Sequence, residues 1–126
     1  MRSILKFKNK KRFVINRHFS RKAGIHFDLR LELNNILESW ASKNIDELVK
    51  DSRRKVLLIK TKDHPLKWLN IEGHLNEDYY DIFDKGTYNI IKKTSNLMEL
   101  RFNGKKLKGV YILLKKEKNK YLFFKK

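Results

Sequence analysis

The chain has no cysteine, one proline and five glycines in its 126 residues. Without cysteine there is no disulfide scaffold, no thiolate zinc site and no cysteine nucleophile. The same absence suits an intracellular, cytoplasmic location. Scarce Pro and Gly leave no linker-like stretch, so the sequence reads as one compact unit rather than two domains. No apolar run approaches the roughly 18 residues that a bilayer-spanning helix needs. The N-terminal MRSILKFKNKKRF mixes basic with apolar residues, where a signal peptide requires an unbroken apolar stretch. Carboxylates are also few: 14 Asp+Glu stand against 31 Lys+Arg, a net charge of +17.

An excess of that size calls for an anionic partner. A phosphodiester backbone is the commonest match and a membrane surface the other. The chain is otherwise well supplied for a core: 40% of its residues are hydrophobic, among them eight Phe, five Tyr and two Trp. A chain of this length buries roughly two-thirds of its unfolded surface, so intrinsic disorder is not expected.

Hydrophobic periodicity is mostly two. Ile25 to Leu33, Val56 to Ile59, Leu97 to Phe102, Val110 to Leu114 and Tyr121 to Phe124 read as strands. Asn34-Asn35 and Asn103-Gly104 carry hairpin-turn chemistry, with Asp84-Lys85-Gly86 and Glu117-Lys118-Asn119 as further turns. Ser42 to Lys50 is the one helical pattern, with Asn44 placed to cap it. The expected fold is mainly β, a compact closed or nearly closed barrel with one or two short helices. Residues 1–12 form a basic extension and 13–126 the barrel domain.

The segment His26-Phe27-Asp28-Leu29-Arg30-Leu31-Glu32-Leu33 is the most informative. In a strand, His26, Asp28, Arg30 and Glu32 share one face at about 7 Å intervals, with the apolar residues on the other. One reading is a solvated outer face bearing weak surface ion pairs. The other is an interior ionic row in which His26 and Asp28 ligate a metal, Arg30 forks onto a phosphate and Glu32 orients Arg30. Imidazole with carboxylate suits manganese or zinc. A third ligand is available in His18, across a loop from Phe19 to Gly24 able to fold back on its strand. Pro65 keeps His64 out of helix, at a strand end or turn. His74 has no nameable partner and reads as structural.

Several blocks stand in a recognisable order: F-V-I-N-R-H, H-F-D-L-R-L-E-L with L-E-S-W-A, D-H-P-L-K-W with I-E-G, F-N-G-K-K-L-K-G-V-Y-I-L-L and Y-L-F-F-K-K. Together they resemble the 3′-phosphoesterase domain of bacterial DNA ligase D and its stand-alone archaeal and bacterial relatives, from about Phe13 to Lys126. The resemblance implies a β-barrel with a polar crevice and a divalent-metal-dependent activity, typically with manganese, with zinc or cobalt as alternatives. It implies action on DNA or DNA/RNA 3′ ends in break repair, removing a 3′-phosphate or a 3′-terminal ribonucleoside to leave a 3′-hydroxyl. His18, His26 and Asp28 become the metal ligands. Arg30 and His64 become phosphate-binding or transition-state groups, with Glu32 behind them. Arg53, Arg54 or Lys55 would replace an arginine expected on the strand before D-H-P-L.

The chain departs from the family pattern in its eight-residue step from His18 to His26, where six is usual. It also has Trp68 in place of a tyrosine and lacks a Gly-rich turn near Tyr79 and Tyr80. The partners so implied are nucleic-acid ends and a separately encoded ligase and polymerase; no membrane association is expected, and the chain reads as a monomer. A catalytically weakened end-binding module of the same fold is the alternative. A plain basic RNA-binding barrel would leave the His-x-Asp-x-Arg-x-Glu row unexplained.

Overall fold

A computed structural model describes residues 10–126. The nine strands are β1 (Lys11–Ser20), β2 (Gly24–Leu33), β3 (Ile36–Ser42), β4 (Lys55–His64), β5 (Gly73–Leu75), β6 (Asp78–Lys93), β7 (Leu97–Gly104), β8 (Lys108–Glu117) and β9 (Lys120–Lys125). All pairings are antiparallel, in the order β1-β2-β3-β4-β9-β8-β7-β6, and β1 pairs back onto β6, which closes an eight-stranded barrel. The short β5 adds to the free edge of β6.

Closure follows from the alternation. Phe13, Ile15, Phe27, Leu29, Leu31, Leu58, Leu100, Phe102, Leu113 and Phe123 point inward and are buried in one cluster. An eight-stranded barrel is just wide enough for side chains to fill it. Here edge-on aromatics do so, with Phe13 and Phe102 at 5.0 Å between ring centres. Among the described residues one short α-helix, α1 (Ile45–Lys50), sets Ile45 and Leu48 into the same cluster. Asn44 occupies its N-cap position without a side-chain capping bond; its backbone O accepts the Glu47 N–H, and its own N–H donates to Ser42 Oγ.

A second apolar layer lies on the outside of the wall. The 3-10 turn Leu66–Leu69, started by Pro65, packs Leu66, Trp68 and Leu69 with Val14, Leu37 and Ile82. This turn roofs the outer face of β1, β2 and β3, and creates a covered strip between the barrel wall and the segment after β4.

The turn readings are partly corrected. Asn34 and Asn35 have φ of 53° and 66°, the type I′ geometry their chemistry predicts, and Lys118-Asn119 joins β8 to β9. Asp84-Lys85-Gly86, however, lies inside the 16-residue β6. The Asp84 carboxylate is buried because it accepts the backbone N–H groups of Lys105, Lys106 and Leu107. It thereby anchors a turn that the sequence placed two residues earlier, at Asn103-Gly104. Gly104 is needed where it is: any Cβ there would meet the Asp84 carboxylate and the Phe13 ring. Lys11 and Arg12, at the start of β1, pair with Tyr88 and Thr87. The rest of the basic extension, residues 1–9, lies outside the described residues.

Candidate active site

β1 and β2 form a hairpin in constant register: His18 faces His26, Asn16 faces Asp28 and Val14 faces Arg30. The loop expected from Phe19 to Gly24 is shorter, confined to residues 21–23. β1 runs on to Ser20, residues 21–23 turn tightly, and Gly24 at φ 77° opens β2. His18 Nδ1 therefore lies 3.1 Å from His26 Nε2, and His26 Nε2 lies 3.5 Å from Asp28 Oδ2. One ligand atom from each of the three falls within 4.8 Å of the others.

His18 is oriented from behind. Its Nε2 donates to Asp78 Oδ2 at 2.8 Å, an assignment that follows from the ionised carboxylate. The Arg21 N–H and then His18 hold Asp78 below the usual carboxylate range. With the proton on Nε2, the Nδ1 lone pair turns toward His26 and Asp28. This is the carboxylate–histidine arrangement that fixes metal-binding imidazoles. Tyr80 stacks on the His18 ring at 4.2 Å and locks its plane. Two imidazoles and one carboxylate, oriented this way, fit a divalent transition metal such as manganese or zinc.

Arg30 continues the row. It is only 3% exposed, and its fork is divided among Asn16 Oδ1 (2.8 Å from Nε), Ser39 Oγ (2.9 Å from Nη1) and Asp28 Oδ2 (3.4 Å from Nη2). Burial pulls its pKa down and Asp28 opposes the shift; an arginine stays charged through such a change. Burying a guanidinium is costly unless it is paired, and a 3.4 Å contact to a half-shared carboxylate pairs it incompletely. The Trp68 ring covers it, with Cζ at 4.8 Å. Beside it the wholly buried Asn16 Nδ2 has no partner among the described residues. A buried guanidinium and an orphan amide donor together suit an anionic oxygen.

His64 closes the far side. Its Nδ1 donates to Lys62 O at 3.0 Å, and Ser39 Oγ lies 3.4 Å away. Burial first, then the Arg30 charge, lowers its pKa. The neutral ring is favoured, with Nε2 as an acceptor.

Two sequence readings place residues elsewhere. Glu32 does not orient Arg30; it accepts Arg12 Nε at 2.9 Å and Nη2 at 2.6 Å, an exposed pair of the kind that contributes about 0–1 kcal/mol. Asn16 and Ser39, cross-strand neighbours, perform the orienting role. Arg54 pairs with Glu47 and Lys55 lies over Phe124. Lys55 opens β4 and Arg54 precedes it, nine and ten residues and about 30 Å of strand from His64. The row lies on the outer wall of the barrel, with Trp68 of the 66–69 turn over Arg30 and with His26 part-exposed at its other end. Sequence reasoning missed Asn16, Ser39, Asp78 and Tyr80. Asn16 was legible in principle as the alternate residue before His18; Asp78 and Tyr80 were not, because they reach His18 only through barrel closure.

The fold and site define a closed β-barrel with a metal-ready His-His-Asp cluster and a buried arginine on its outer wall. Residues 16–115 match the DNA Ligase D 3′-phosphoesterase domain, and the chain belongs to that family. It is 36% identical over 93 residues to the multifunctional non-homologous end joining protein LigD of Mycolicibacterium smegmatis, which covers 69% of this chain and 12% of that protein. It is 31% identical over 121 residues to the multifunctional non-homologous end joining DNA repair protein LigD of Mycobacterium tuberculosis, 87% of this chain and 15% of that protein. The LigD of Pseudomonas aeruginosa is 27% identical over 114 residues. The chain thus spans about one-seventh of the curated relatives it matches. Among the described residues no helix is long and apolar enough to cross a membrane.

Proposed function

We propose that this protein is a divalent-metal-dependent phosphoesterase that processes nucleic-acid 3′ ends in DNA break repair. It would release a 3′-terminal ribonucleoside by hydrolysing the P–O bond to its 5′ oxygen, which leaves a 3′-phosphate, and hydrolyse a 3′-phosphate to leave a 3′-hydroxyl and inorganic phosphate. The observation that carries the reading is the placing of Arg30 Nη2 3.4 Å from Asp28, on the face that gathers His18 and His26.

His18, His26 and Asp28 would hold the metal; the family resemblance points to manganese, with zinc or cobalt as alternatives this donor set also accommodates. Such an ion polarises a phosphoryl oxygen and lowers the pKa of bound water. The chain's own groups do the rest. The Arg30 fork holds a second non-bridging oxygen and stabilises charge as water attacks phosphorus and the P–O bond to the leaving oxygen breaks. Asn16 Nδ2 supplies a further donor. His64 enters neutral; an arriving phosphate raises its pKa, so Nε2 takes up a proton and bonds that phosphate.

The weakened end-binding alternative drew on the longer His18–His26 step and on the missing Gly-rich turn; the register that sets His18 opposite His26 bears on the first of these alone. A ligase and a polymerase of the same repair system are the partners we propose, with the domain acting as a cytoplasmic monomer. Purified protein with manganese should convert a 3′-phosphate primer to 3′-hydroxyl, and chelation should stop it. His26→Ala, Asp28→Ala and Arg30→Ala should each lower the rate by about a hundred-fold or more. Full activity in Asp28→Ala would overturn this site.

A further inference from the structure

The polar row does not end in open solvent. Along β2 from Arg30 through Asp28 to His26, it runs into a cleft of about 650 Å³ lined by His26, Ala23, Ala41, Asn44, Leu57 and Ile59. That volume falls among small-molecule sites, which are largely apolar with a few polar groups. Ala41 pairs with Asp28 and with Ile59 across the sheet, so the cleft floor continues the wall that carries the metal ligands. Leu57 and Ile59 are 49% and 37% exposed, an apolar platform on a chain of net charge +17.

Two details say what fits there. Asn44 forgoes its capping bond, which leaves a carboxamide with both donor and acceptor at the cleft, the chemistry that reads a base edge. Glu47, the cleft's one carboxylate, is engaged by Arg54, so Lys43 dominates the charge at the rim. Flat apolar walls, an amide and a cation, continuous through His26 with a phosphate-facing row, match a nucleotide.

We propose that this cleft binds the base of the nucleotide whose phosphoester lies on the His18–His26–Asp28–Arg30 row. The inference rests on the phosphoesterase reading for the phosphate, and on the cleft alone for the base. The test is amide NMR titration of the metal-free chain with adenosine 3′-monophosphate, adenosine and inorganic phosphate. The nucleotide should shift Ala41, Asn44 and Ile59 together with Arg30 and His64, adenosine should shift only the first group, and phosphate only the second. Leu57→Ser should weaken nucleotide binding about five-fold more than it weakens phosphate binding, the effect of removing one partly buried apolar side chain. If nucleotide and phosphate shift the same residues around Arg30 and leave Ala41, Asn44 and Ile59 still, the cleft assignment is overturned while the phosphate site stands. If adenosine shifts the cleft but phosphate leaves Arg30 and His64 unmoved in the metal-free and in the zinc-loaded protein alike, the base site stands and the phosphoesterase reading loses its support.

Discussion

At the scale of single residues, the site depends on side chains that touch no substrate. Asp78 is one: by accepting from His18 Nε2 it fixes the tautomer that leaves Nδ1 free for a metal. Groups of this kind are worth about 10–100-fold in metal affinity when removed. Asp78→Ala should therefore weaken manganese binding by about that factor, read by isothermal titration, with the far-ultraviolet spectrum unchanged. An affinity equal to the parent's would assign Asp78 to the surface ion pairs instead. Tyr80, held over the same ring at 4.2 Å, fixes the imidazole's plane as Asp78 fixes its proton.

At the scale of elements, antiparallel register explains why a longer step between the two histidines does no harm. In a hairpin the facing residues keep a constant index sum, so a change of length at the tip alters the turn and leaves the pairs facing, while a residue inserted within one strand flips the side chains beyond it to the other face. Deleting Lys22 leaves a two-residue turn, a common hairpin length, and should retain metal binding. Inserting an alanine between Arg17 and His18 should abolish it, which metal titration of the two proteins would check. The same periodicity made β2, the Asn34-Asn35 hairpin and the His26-Asp28-Arg30 face legible in the sequence. Much of β6 was not legible. Its N-terminal half pairs with β1 and its C-terminal half with β7, a β-bulge interrupts the first pairing, and its one buried carboxylate, Asp84, looks like a turn residue until the backbone it holds is known. Glu32 was misplaced for a related reason: strand alternation gives the face of a residue but not which cation arrives from the neighbouring strand.

At the scale of the whole molecule, the lysine clusters separate. The β8–β9 turn brings Lys118 and Lys120 beside Ile59 at the edge of the base cleft, whereas Lys105 and Lys106 lie in the β7–β8 turn, at the other end of β8, about 30 Å away along the strand. Only the first cluster is placed to follow a nucleic-acid backbone leading into the site. Lys118→Ala should weaken duplex binding and reduce the slope of log affinity against log salt by about 0.9, the share of one neutralised phosphate, with Lys105→Ala changing neither in the same fluorescence titration. The closing pair of strands has a further consequence, for the order in which the protein acquires function. His18 and His26 meet in a local hairpin, but Asp78 and Tyr80 come onto His18 only when β6 docks along β1, bringing together residues some sixty positions apart. Long-range pairing forms late because its loop entropy must be met first. A nascent or refolding chain would thus hold two histidines and an aspartate in place before it holds them rigidly, and tight metal capture becomes a timer that reports the sealing of the barrel.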